Sequence, residues 1–179
     1  LYLLIVQIYS FVFLFFFHSI DYMENTISFS TKFGWITAAE LNNKITRIQF
    51  KKVKSRGISS KILKKLKKNL ILYLNGKTNK LKAPLYTNGN SLQKKIWFEI
   101  KKIKKGNTKT YGEIAKKLNF SPRYVGRVCG ENRHILFIPC HRVIKSDGSL
   151  GGFSAIGGSI LKKKLLDLES REVKQFYQL

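Results

Sequence analysis

Cysteine is scarce in this 179-residue chain: only Cys129 and Cys140 are present, eleven positions apart. With His18, His134 and His141 as the only imidazoles, the four-ligand spacing of a structural zinc site is missing, and no metal is expected. So few thiols also exclude a disulfide-stapled secreted scaffold and favour a reduced compartment, although the spacing leaves a Cys129–Cys140 disulfide open. Acidic residues are few as well. Ten Asp and Glu face 34 Lys and Arg, a net charge of +24, which draws the chain towards polyanions such as nucleic acid or an acidic membrane. The basic residues are mostly lysine, in a chain rich in Asn, Ile and Phe, a bias typical of AT-rich coding sequence, so charge alone identifies no partner. What is abundant is apolar. Hydrophobic residues make up 44% and aromatics 13%, enough for a folded core and too much for a disordered chain.

Leu1 to Phe17 is an uncharged run close to the length that spans a bilayer. It lacks the basic flank and small-residue cleavage pattern of a secretory signal, and it lacks charges that would set an orientation. The single methionine, Met23, directly precedes a segment that reads as an ordinary globular start. Met23 is therefore the expected initiator, residues 1–22 are expected to lie outside the native domain, and a membrane anchor is not expected.

Between Ser28 and Phe50, β-branched and aromatic residues alternate with turn signals at Phe33-Gly34 and Asn42-Asn43, which predicts short antiparallel strands. Ile62, Leu63, Leu66, Leu70, Tyr73 and Leu74 then recur at helical spacing, with lysines on the opposite face that read as a solvated surface. Residues 75–90 form a loop-rich linker, so 23–90 is expected to be an N-terminal α/β domain with linker, and 91–179 a C-terminal domain. The latter opens with a helix from Ser91 carrying Leu92, Ile96, Ile100 and Ile103, stopped near Gly106.

Thr110-Tyr111-Gly112-Glu113 fits a capping box, and Ser121-Pro122 fits an N-cap followed by proline in the first turn. The result is a helix, a turn at Asn119-Phe120 and a second helix on which Arg123 and Arg127 share a face. A helix-turn-helix of this kind can place its second helix in a DNA groove, or be a simple helical hairpin in an enzyme core. Ile135-Leu136-Phe137-Ile138 reads as a buried strand delivering Pro139-Cys140-His141-Arg142. Thiolate is the nucleophilic form of cysteine, and His141 is the candidate proton acceptor, reaching Cys140 through a bend or a bridging water. Cys129 reads as a small buried hydrophobe, and Arg142 as a guanidinium that pins a loop.

Pro139-Cys140-His141-Arg142-Val143-Ile144, with Asn132 eight residues before the cysteine, Arg123 seventeen before it, Tyr111-Gly112-Glu113-Ile114-Ala115 upstream, and Gly151-Gly152-Phe153-Ser154, Lys164-Leu165-Leu166 and Glu169 downstream, resembles the O6-alkylguanine-DNA alkyltransferases. The likeness covers about 91–170 strongly and 23–90 in general layout. It implies an α+β fold: a small N-terminal antiparallel sheet with a helix, then a mostly helical domain containing a winged-helix-like helix-turn-helix. It further implies binding to double-stranded DNA from the minor groove and rotation of O6-alkylguanine out of the stack. Arg123 would fill the gap. Tyr111 would crowd the backbone and then donate to the departing base. Cys140, activated through water by His141 and oriented by Glu169, would take the methyl or other alkyl group from O6 of guanine, or from O4 of thymine, once and irreversibly. Asn132 would shape the turn beside the cysteine, while Ser146, Phe153 and Ser154 would contact phosphate or the extruded base. No cofactor is implied, and the protein is expected to act as a cytoplasmic monomer. The chain departs from the family at Arg133, where relatives often have Pro, at Tyr124 in place of a small residue, at Phe153 in place of Tyr, and by a two-residue insertion, Ala155-Ile156. The remaining readings are a non-catalytic DNA-binding or damage-recognition module with an idle cysteine, and a membrane-tethered basic protein resting on residues 1–22.

Overall fold

A computed structural model describes residues 24–176, with side chains to residue 170; the reading of residues 1–22 as a leader lies outside them. Three strands, β1 (Asn25–Thr31), β2 (Gly34–Leu41) and β3 (Lys44–Phe50), form an antiparallel meander in the order β1-β2-β3. The β2–β3 turn bends at Asn42 and Asn43, both with positive φ, a conformation asparagine tolerates better than most residues. Helix α1 (Lys61–Leu74) starts at Ser60, whose hydroxyl accepts from the Leu63 amide, and lays Leu63, Leu66, Leu70, Tyr73 and Leu74 on the sheet.

The second half begins with α2 (Ser91–Lys101). This helix ends before Gly106, which instead sits in the following turn at φ +81°. Its buried face holds Ile96, Trp97 and Ile100 as well as Glu99, while Leu92 stays outside. After β4 (Lys109–Thr110) come α3 (Tyr111–Leu118) and α4 (Pro122–Gly130), joined by three residues in which Asn119 takes a left-handed conformation. Both expected caps form. The Thr110 hydroxyl accepts from the Glu113 amide and the Glu113 carboxylate from the Thr110 amide, at 3.1 and 2.6 Å, and the Ser121 hydroxyl accepts from the Tyr124 amide at 3.2 Å. A 3₁₀ turn (Cys140–Arg142) leads into β5 (Val143–Ile144), which pairs in parallel with β4, and α5 (Gly158–Phe176) closes the fold.

The apolar run before Cys140 is buried but is not a strand. Its backbone turns, with the Ile138 amide donating to the His134 carbonyl at 2.8 Å and Leu136 at φ +69°. The reason is that the run serves two cores: Ile135 and Leu136 pack with the sheet and α1, whereas Ile138 packs with α2, α3 and α4. An extended strand would alternate its side chains and could not divide them in this way. The first core also takes Leu161 and Leu165 from α5, so the two halves share apolar surface. Among the described residues, no helix is long and apolar enough to cross a membrane.

Candidate active site

The 3₁₀ turn puts Cys140, His141 and Arg142 in three directions from one short segment, all buried. Cys140 lines a cavity of about 530 Å³ together with Tyr111, Gly126, Cys129, Gly151, Phe153 and Ser154, among others. Asn132 braces the approach. Its Nδ2 donates to the Ile138 carbonyl at 2.8 Å and to Cys140 Sγ at 3.2 Å, and its Oδ1 accepts from the His134 amide at 2.8 Å. One side chain thus fixes the irregular run and aims the sulfur.

Behind the cysteine, Glu169 of α5 gathers a buried polar cluster. Its Oε1 lies 2.9 Å from His141 Nε2 and accepts from Arg142 Nη2 at 2.9 Å, and its Oε2 accepts from Arg142 Nε at 2.8 Å. Arg142 also donates to the Ile103 carbonyl at 2.6 Å, the loop-pinning role its position suggests. Burial alone would push the Glu169 carboxyl up, but the hydrogen bonds from His141 and Arg142 outweigh it and hold the group well below the usual carboxylate range. His141 is lowered by burial, which Glu169 only partly offsets. With Nε2 directed at a carboxylate, the neutral ring carries its proton there. That leaves Nδ1, buried and without a hydrogen-bond partner, as the free acceptor.

Cys129 is more than a buried hydrophobe. It is a free thiol in the same cavity, and no disulfide links it to Cys140. The Cys129 thiol, and then burial, push the Cys140 thiol well above its ordinary range. The resting nucleophile is therefore a neutral thiol, and the attacking thiolate has to form by handing that proton to an acceptor.

The sequence reading also missed Lys162, a fully buried lysine one turn into α5. Its ammonium donates to the Val143 carbonyl at 2.6 Å, to the Gly152 carbonyl at 3.4 Å and to the Tyr111 hydroxyl at 3.5 Å. Burial brings it down to about 8, and burial pushes Tyr111 up to about 12. The spacing of seven between Lys162 and Glu169, which puts both on one helical face, was the available signal. Gly151 is needed beside Tyr111: at φ +67°, a Cβ here would stand 3.3 Å from the tyrosine oxygen.

The remaining expected residues divide between the cavity wall and the outer surface. Arg123 and Ser154 are exposed, Phe153 is half-buried, and only Phe153 and Ser154 of these three line the cavity. Ser146 is exposed in the turn after β5 and does not line it. Tyr124, the bulky departure, tilts against Phe120 at 5.2 Å between ring centres and carries the Arg127 guanidinium 4.8 Å above its ring. Ala155 of the insertion packs on the first core while Ile156 points outward. Nothing in the structure explains why Arg133 stands where proline is frequent; only its carbonyl is used, accepting from the Ile48 amide at 2.7 Å.

A thiol in a cavity, backed by an imidazole and a carboxylate, is the equipment of a protein that reacts through a cysteine nucleophile. Residues 91–171 match the family described as the DNA-binding domain of 6-O-methylguanine DNA methyltransferase. The chain is 36% identical over 149 residues, 82% of its length and 94% of the relative's, to the methylated-DNA–protein-cysteine methyltransferase of Metallosphaera sedula. It is similar in structure to the O6-methylguanine methyltransferase of Mycobacterium tuberculosis, with a TM-score of 0.74, 25% identity, and coverage of 86% of this chain and 99% of that one. The same Mycobacterium tuberculosis protein in complex with DNA also has a TM-score of 0.74, at 27% identity and with 82% and 93% covered. This chain belongs to the methylated-DNA–protein-cysteine methyltransferase family.

Proposed function

We infer that this protein repairs DNA by moving a methyl or other alkyl group from O6 of guanine to its own Cys140, once per molecule. The observation that carries this is the buried Cys140 thiol at the wall of a cavity, with the open Nδ1 of a carboxylate-held histidine at the next residue. The target oxygen is inaccessible inside a duplex, so the base has to leave the stack to reach such a cavity. On this reading Arg123, exposed on the second helix of the pair, occupies the vacated space, and the +24 charge supports sequence-blind phosphate binding. Residues 91–179 act as the DNA-binding and reactive domain on this reading, with 23–90 as its N-terminal α/β support. The protein works as a monomer in the cytoplasm, where thiols stay reduced.

The chemistry follows from the resting state. As the alkylated base docks, Cys140 passes its proton through water to His141 Nδ1, and Glu169 balances the imidazolium that forms. The sulfur attacks the alkyl carbon in line. A carbon–sulfur bond forms as the carbon–oxygen bond to guanine breaks, and the electron pair leaves with the base. Tyr111, kept protonated by burial and by the Cys129 and Cys140 sulfurs nearby, donates a hydrogen bond to that departing base. Asn132 keeps the sulfur aimed, and Phe153 and Ser154 line the seat of the base. Ser146 offers a hydroxyl to phosphate beside the opening. The thioether is stable, so no turnover follows.

Incubation with duplex DNA bearing labelled O6-methylguanine is expected to move one label per molecule onto Cys140. Transfer that persists in Cys140→Ser would overturn the assignment, and tight duplex binding without transfer by the unaltered chain would instead support a recognition module.

A further inference from the structure

Tyr73 sits in the last turn of α1, in the half of the chain that holds none of the groups assigned to the reaction above. It is almost fully buried, and its hydroxyl donates to Glu169 Oε1 at 2.6 Å while accepting from Arg142 Nη2 at 3.1 Å. Oε1 is the same oxygen that faces His141 Nε2. We propose that Tyr73 is a positioning residue for alkyl transfer, reaching across from the first half to fix Glu169 so that His141 keeps its proton on Nε2 and presents Nδ1 to Cys140. This rests on the alkyl-transfer reading.

A carboxylate offers about four lone-pair directions. On Glu169 they are filled from three sides: Tyr73 from α1, His141 and Arg142 from the 3₁₀ turn, and the Gly106 amide at 3.4 Å from the loop after α2. Every donor narrows the carboxylate's orientation, and every donor lessens its pull on the imidazole proton. Arg142 grips Glu169 through Nε and Nη2 and the Ile103 carbonyl through Nη1, and Tyr73 adds a donor from a different element of the fold. Tyr73 is a permanent donor: burial, and then the Glu169 charge, raise its own ionisation far above neutrality. His141 feels Glu169 and Lys162 from α5, Arg142 beside it, and Tyr73 from behind Glu169. Only Glu169 favours the imidazolium, while Arg142 and Lys162 oppose it. Removing the Tyr73 donor strengthens the one favourable partner. His141 then titrates at higher pH, and less of the neutral acceptor is present near neutrality.

The test is Tyr73→Phe in the full chain, which keeps the ring in the core and removes only the hydroxyl. Single-turnover transfer from a free O6-alkylguanine base, followed across pH, is expected to slow about threefold on the acid limb, the loss of neutral imidazole that a half-unit upward displacement of His141 brings. The deficit should shrink as pH rises, with the acid limb displaced upward by about half a unit or more. Duplex affinity should be unchanged. An unaltered rate, or a loss equal at every pH, would overturn the proposal, the latter marking a merely structural contact. Nuclear magnetic resonance titration of His141 in a Cys140→Ser background, with and without Tyr73→Phe, is an independent check. A raised midpoint is expected, and an unmoved one refutes the role of Tyr73. This measurement needs no alkyl transfer, so it judges Tyr73 even if the unaltered chain proved unable to react.

Discussion

The two halves bury different things. The sheet and α1 enclose mainly Phe, Ile and Leu side chains, with Thr26, Thr37 and Glu40 as their few buried polar groups besides Tyr73. The second half buries Glu99, Asn132, His134, His141, Arg142, Lys162 and Glu169. Burying charge is costly unless each group is paired or hydrogen-bonded; here Lys162 is held by carbonyls and the Tyr111 hydroxyl, and the ion pairs converge on two carboxylates. Glu169 is enclosed, with partners that are themselves buried, whereas Glu99 is buried but met by Lys102, Lys109 and Lys117 reaching in from the surface. The first half supplies inexpensive apolar support, and it leaves the second free to hold a polar centre that contributes chemistry rather than stability.

The sharpest way to break this contrast is Glu169→Gln, which keeps the shape but leaves Arg142 buried without its counter-charge. Loss of one partner of a buried pair costs about 3–5 kcal/mol. Chemical denaturation is expected to show a loss on that scale, and the variant should barely transfer alkyl groups. A stability within about 1 kcal/mol of the unaltered chain would show that the centre is not held by charge pairing. Arg123→Ala should lower repair of duplex DNA about tenfold or more while leaving reaction with the free modified base near normal, because only the duplex requires extrusion. Equal loss on both substrates would move Arg123 from groove to cavity.

Glu99→Gln sharpens the comparison between enclosed and surface-fed carboxylates. The Lys117 hydrogen bond, aided by Lys102, brings Glu99 down to about 2. A lowered carboxylate stabilises the fold above its unfolded value and loses that effect as pH falls through about 2. Since the lysine partners are half exposed, solvent screening leaves about 1–2 kcal/mol. Thermal unfolding should therefore show the variant less stable at pH 7 and the difference fading between about pH 4 and 2. A gap that persists at the acid end would assign the effect to packing. The smallest effect is expected from Cys129→Ala. Removing the neighbouring thiol takes away the first of the influences that raise Cys140, so the pH midpoint for iodoacetamide capture of Cys140 should fall. An unchanged midpoint would show that burial alone keeps the thiol neutral.

Much of this was legible beforehand for local reasons. The capping box at Thr110, the Ser121-Pro122 start, the asparagine turn at Asn42-Asn43 and the apolar spacing of α1 are each decided within a few residues, and all four formed. The stretch 135–138 misled because an apolar run records burial but not the number of cores it must reach. Lys162 and Tyr73 escape notice for a related reason: apart from the seven-residue spacing of Lys162 from Glu169, a lysine among lysines and a tyrosine at an apolar helical position carry no mark of their distant partners. Cys129 was underread because its neighbour is set by how α4 packs on the 3₁₀ turn.

By itself the sequence determined α1, α2, the helix pair with its Thr110 and Ser121 caps, the excess of positive charge and the ordered set of residues around Cys140, since these depend on local backbone preferences and side-chain chemistry. Only the tertiary structure decided that the thiol rests neutral, that His141 turns Nδ1 to the free side, and that a tyrosine 96 positions away holds Glu169. Proton affinity depends on what surrounds a group in space, and those surroundings come from both halves of the chain.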